Sequence, residues 1–201
     1  MLRKIAAYII WVFSPLLMPT YGTILLLYSR FHFSMFSWPA KRFLLIVMFV
    51  STALMPALTL LISKYRISQG TYPFYRQERW IPMIFIALYY YLGFYLLNKM
   101  PIYTIFKVIL LAGAILIVLL MMINLRWKLS HHMAAAGGLF GLMTALSLRL
   151  GANPIQLLTG ILFISGITGT SLMIRRKHNL EETISGFPLG FLVFFLIFYL
   201  L

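Results

Sequence analysis

The sequence predicts an all-α fold, a polytopic transmembrane helical bundle of about 6–7 spans. Three observations carry that prediction. The chain is 62% hydrophobic and only 10% charged, more apolar surface than a soluble domain of 201 residues can hide. Its apolar runs are continuous rather than alternating, which indicates helices and not strands. Each run is close to the roughly 20 residues that a helix needs to cross a bilayer.

Seven candidate spans follow in order: 5–27, 43–63, 81–98, 102–124, 132–150, 155–174 and 183–201. The first contains Ser14-Pro15 and Pro19-Thr20, which predict a kink or a re-entrant segment. The second has Pro56 inside it. The third carries Tyr89-Tyr90-Tyr91 and Tyr95, an interfacial or bundle-facing patch. The fifth opens on Ala134-Ala135-Ala136-Gly137-Gly138, with Gly141 four residues after Gly137, a spacing that lets helices approach closely. The sixth repeats the theme with Gly160, Gly166 and Gly169, and the seventh with Gly186 and Gly190. All the connections are short, so residues 1–201 form a single membrane domain. Residues 1–100 are its N-terminal, lipid-facing spans; residues 101–201 are a glycine-rich core that carries the motif loops. No internal repeat of the transporter kind is visible.

Bulk features exclude several functions. The chain has no cysteine, so disulfides, thiol catalysis and zinc–thiolate sites are out. The formal charge of +14 sits in short membrane-flanking loops, which points to anionic lipid and not to nucleic acid. Met1-Leu2-Arg3-Lys4 looks like the start of a signal peptide, but the apolar run continues and no small-residue cleavage site stands out. A retained first span is expected. The expected location is an integral, multi-pass position in the bacterial inner membrane.

Counting crossings places the loops. With the N-terminal side called A, loops 64–80, 125–131 and 175–182 return to side A, and 28–42, 99–101 and 151–154 fall on side B. All three acidic residues, Glu78, Glu181 and Glu182, lie in the side A loops, with His131, His132 and His178. Side A is also the more basic, which makes it cytoplasmic by the positive-inside rule. Setting aside the basic residues of the three site loops reverses that orientation, so both remain open. Ionisable groups gathered on one face of a membrane protein mark a candidate functional site.

Two of these loops hold chemistry. Arg175-Arg176-Lys177-His178-Asn179-Leu180-Glu181-Glu182 opens the last span, and Glu182 is four residues after His178, on the same helical face. A carboxylate beside an imidazole fixes its tautomer and raises its basicity. The neighbouring cations would hold an anion there. Arg126-Trp127-Lys128-Leu129-Ser130-His131-His132 opens the fifth span. Ser130 is a good N-cap, and Lys128, Ser130 and the first helical amides could grip phosphate oxygens. A nearby histidine could protonate a leaving oxygen. Adjacent histidines on a helix point apart, so a metal site is not expected, and no cofactor is. A capping, snorkelling loop with an incidental histidine is the plainer alternative.

These two loops resemble the type 2 phosphatidic acid phosphatase (lipid phosphate phosphatase) superfamily. That family has a middle motif PSGH at the start of a helix and a last motif SRxxxxxHxxxD opening the next-but-one helix. Here Leu129-Ser130-His131-His132 matches S-x-H and aligns His132 with the family's acid histidine. Ser171 and His178 keep the serine-to-histidine spacing, and His178–Glu182 keeps HxxxD with glutamate for aspartate. The resemblance implies that His178 is a nucleophile that becomes phosphorylated. It implies that His132 protonates the leaving alcohol and then activates water, and that Glu182 orients His178. Lys128, Ser130, Arg126, Arg175 and Arg176 would bind phosphate, without a metal. Leu129 and His131 stand in place of the proline and glycine, and Leu172 in place of the arginine. Arg76-Gln77-Glu78-Arg79-Trp80-Ile81-Pro82 is the nearest match to the family's first motif, KxxxxxxRP, and adds Arg76 and Arg79 to the expected phosphate-binding set. The expected function is hydrolysis of a lipid phosphate or polyprenyl (di)phosphate. The alternatives are a non-catalytic binder of anionic lipid or a membrane-complex subunit, and then a transporter.

Overall fold

The computed structural model describes residues 2–28, 37–68, 80–176 and 178–201. Among them, every regular element is helical. The order is α1 Leu2–Val12, α2 Met18–Tyr28, α3 Trp38–Phe49, a π-helical segment Val50–Leu54, α4 Met55–Ser68, α5 Trp80–Asn98, α6 Thr104–Ile123, α7 His131–Leu150, α8 Ile155–Ile174 and α9 Leu180–Leu200. Among the described residues, six helices are long and apolar enough to cross a membrane: Trp38–Ser63, α5, α6, α7, α8 and α9. The protein is thus an all-α, multi-pass membrane bundle.

The expected first span, 5–27, is broken into α1 and α2. Pro15 ends the helix, because a proline ring clashes with the preceding turn and lacks the N–H that would continue it. Each piece has 11 residues, about 16 Å, roughly half of a 30 Å hydrocarbon core. The Tyr21 hydroxyl donates to the Val12 carbonyl at 2.9 Å, satisfying one of the orphan acceptors at the end of α1. Pro56 does not break the second span. Its ring would meet the carbonyl of Thr52, four residues back, and the chain instead widens to the π segment Val50–Leu54 just before it. The widened turn turns small polar side chains inward. Thr52 and Thr20 hydroxyls lie 3.2 Å apart, joining this span to α2.

α5 and α6 run antiparallel through a tight turn, and Tyr90 lies against Gly113 midway along them. Tyr90 is buried, while Tyr91 and Tyr95 face outward, so the tyrosine cluster divides between bundle and surface. α7 is the most buried of the six long helices and packs most extensively on α9. Glycine makes that seam possible. A Cβ on Gly137 would run into the Phe187 carbonyl, and one on Gly190 into the Ala134 carbonyl, so the two backbones touch. α8 does not share this use. Nothing lies within 4 Å of a Cβ built on Gly160 or Gly166, and only Gly169 meets neighbours, Thr183 and Met133. The close-packed core expected from three glycine-bearing helices is therefore a pair, α7 and α9.

Candidate functional site

The α7–α9 seam sets the site. Ser130 caps α7: its Oγ accepts from the Met133 N–H at 3.4 Å, and its own N–H donates to the Glu182 carbonyl at 3.1 Å. Ser130 is fully buried, with its carbonyl against Gly186. It is thus a cap and a seam residue, buried against the first turns of α9.

Glu182 sits in the first turn of α9. It forms a capping box with Asn179, whose N–H donates to Oε2 at 3.3 Å. The same Oε2 is 2.8 Å from His178 Nδ1 and 3.9 Å from Lys128 Nζ. The spacing of His178 and Glu182 in sequence thus becomes a direct pair, and Lys128 joins it from the other loop. Both side chains of the pair are mostly buried, with 13% and 17% of their surface exposed, against 58% for Lys128.

Asn124, which the sequence reading overlooked, organises the loop before α7. Its Oδ1 accepts from the Leu129 N–H at 2.6 Å and its amide nitrogen lies 3.2 Å from His131 Nε2. The signal for it was available: a polar amide closing an apolar span must find a partner for each of its polar atoms. His131 is thereby engaged in closing this loop.

His132 falls elsewhere. At about 100° per residue, it lies nearly opposite the Ser130, Ala134, Gly137 and Gly141 face that meets α9. It lines a cleft of about 300 Å³ with Ala7, Ile10, Trp11, Ser14 and Arg175. The structure therefore builds two adjoining clusters at one end of the bundle. One is His178, Glu182, Lys128 and His131 at the seam; the other is His132 and Arg175 under α1.

Of the remaining expected residues, Arg126 and Arg176 are exposed. Arg176 has a φ of 53°, the left-handed turn that reverses the chain after α8. Arg76 and Arg79 lie outside the described residues. Leu172 is fully buried with Ile10 and Met133, so an apolar contact occupies the position aligned with the family's arginine. Among the described residues, no three His, Cys, Asp or Glu side chains gather where a metal could bind.

The fold and these clusters define a multi-pass helical membrane protein with an ionisable site at one end of the bundle. Comparison of the chain with protein-family models, with curated proteins and with solved structures finds no match.

Proposed function

We propose that the chain is a lipid phosphatase of the bacterial inner membrane, a divergent relative of the type 2 phosphatidic acid phosphatases. Its substrate is a lipid phosphate or polyprenyl (di)phosphate, and the reaction passes through a phosphohistidine. The observation that carries the reading is the 2.8 Å pair of His178 Nδ1 and Glu182 Oε2. With Nδ1–H donated to the carboxylate, the lone pair of His178 Nε2 is left for attack on phosphorus. The N–P bond forms as the P–O bond to the lipid alcohol breaks, and that oxygen takes a proton from a second histidine. Water then attacks the phosphohistidine, giving a proton back to the second histidine; the N–P bond breaks, and phosphate leaves.

Which histidine supplies the proton follows from the geometry of displacement. Nucleophile and leaving oxygen stand on opposite sides of the phosphorus. A proton donor on the same side as the nucleophile is of no use. His131 follows Ser130, whose N–H is bonded to Glu182, and is tied to Asn124; His132 is on the other face, beside Arg175. His132 is therefore the donor, and a phosphate between the two clusters would have His178 on one side and His132 on the other. Lys128 and Arg175 neutralise the oxygens, doing by side chain what a metal does elsewhere.

A second reading has one observation of its own. Leu172 removes a cation from the phosphate-binding set, which favours a protein that binds anionic lipid without turning it over. Phosphate release from a panel of lipid phosphates separates the two. The phosphatase reading expects release that persists in EDTA and disappears in His178→Ala. Release lost in EDTA and restored by one divalent ion would overturn the metal-free mechanism. No release from any of the panel leaves the binder.

A further inference from the structure

The cleft under α1 has both polar and apolar lining. His132, Arg175 and Ser14 supply the polar part, and Ala7, Ile10 and Trp11 the apolar part. α1 continues that apolar surface outward: Tyr8 and Trp11 rings lie 6.5 Å apart and both are exposed, as are Leu2 and Ile5. The break at Pro15 is what allows this. An unbroken first helix would carry residues 7–14 straight on. The broken one brings them against α7 and α8, with Ile10 on Met133 and Leu172.

We infer that this cleft holds a single lipid bearing a phosphomonoester, with the phosphate at Arg175 and His132 and the first carbons of its chain along Ile10, Ala7 and Trp11. α1 is then a chain-recognition element and not a membrane anchor alone. Three features fix the occupant. Arg175 makes the polar lining cationic, which suits an anion. The wall is apolar and ends in an exposed tryptophan, the residue that favours the boundary between headgroup and hydrocarbon. The volume, about 300 Å³, is at the small end of ligand pockets, enough for a headgroup and the start of one chain. The inference deepens the phosphatase reading and rests on it for the identity of the headgroup.

The test reads binding apart from turnover. A variant keeps Trp11 as its one tryptophan, through Trp38→Phe, Trp80→Phe and Trp127→Phe, and carries His178→Ala to prevent hydrolysis. It is titrated in detergent micelles with phosphatidic acid brominated high on its chains, and with phosphatidylcholine brominated at the same carbons. Phosphatidic acid should quench Trp11 at about tenfold lower mole fraction, the effect of one charge-assisted contact. Arg175→Gln should remove that preference and Arg175→Lys should restore part of it, which shows that the variants fold. Excess inorganic phosphate should leave the preference in place, because the chain contributes to binding. Equal quenching by the two lipids, or a preference that survives Arg175→Gln, overturns the inference. So does a preference abolished by inorganic phosphate, which would make the site one for free phosphate. Phosphate release by the unmodified protein without this preference would sink the chain site and leave the phosphatase. The preference without release from any lipid phosphate would sink the phosphatase and leave the site.

Discussion

α7 and α8 carry the same signature in sequence, glycines at short intervals in an apolar run, and put it to opposite uses. On α7 the glycines receive α9 so closely that backbone meets backbone at Gly137 and Gly190. On α8, Gly160 and Gly166 look outward onto open surface. A small residue permits close approach but does not supply the partner. What distinguishes the two helices is the end of the bundle that the seam organises. The α7–α9 contact brings Ser130 to Glu182, and with it His178 to Lys128. α8 contributes its C-terminal turn, with Arg175 at the cleft.

The comparison breaks most readily at the seam. Gly190→Val forces a side chain into the Ala134 carbonyl, with no flexible neighbour to yield. We expect a loss of about 3 kcal/mol or more, at the upper end for overpacking, seen as loss of folded protein in detergent. Gly160→Val should change stability by less than about 0.5 kcal/mol, as for other surface positions. Similar melting of the two variants would show that the seam is not the organising contact.

A smaller effect separates structure from chemistry within the seam. Glu182→Ala removes the capping box together with the carboxylate that meets His178 and Lys128. It should cost about 1 kcal/mol of stability as well as activity. Glu182→Gln can still accept the Asn179 N–H. It should keep most of the stability while phosphate release falls on the order of 10²-fold or more, since a neutral amide no longer stabilises the positive charge that would develop on the imidazole. Equal loss of both properties in the two variants would make Glu182 a cap and nothing else.

The histidines sharpen the contrast between the two clusters. His132→Ala should lower phosphate release on the order of 10²-fold, the usual contribution of general acid catalysis. His131→Ala should act through the Asn124 contact instead, lowering stability by about 1 kcal/mol with a milder effect on turnover. The reverse pattern in the same phosphate-release assay would place the proton donor at the seam.

The smallest expected effect has the opposite sign. Arg176 adopts a left-handed φ that costs an L-residue about 1 kcal/mol, and Arg176→Gly should recover much of it. A shift in melting temperature checks this. A destabilised Arg176→Gly would mean that the side chain holds the turn through contacts stronger than the strain.

Much of the fold was legible in the residues, because lengths of apolar sequence are fixed by the bilayer. The spans from 81–98 onward match helices within three residues, and 43–63 within five. Pro15 and Pro56 were both visible, yet one ends a helix and the other is absorbed by a π turn. Local sequence cannot decide that, since the outcome depends on whether Thr20 and its neighbours are there to receive the widened turn. The His178–Glu182 pair was legible because four residues on a helix is one face. The capping role of Ser130 was legible too, but its burial was not, since that comes from Gly186, far away in sequence. Asn124, Trp11 and Ser14 were missed for the same reason, since their importance lies in what packs beside them.

The central claim is that His178, held by Glu182, forms a covalent bond to phosphorus. The most direct measurement is of the protein mass during turnover of phosphatidic acid, quenched at alkaline pH where phosphohistidine survives. The account predicts one added phosphoryl group on the peptide containing His178, absent in His178→Ala, together with loss of phosphate release. Full release by His178→Ala, or a phosphoryl group on another residue with His178 unmodified, would contradict it.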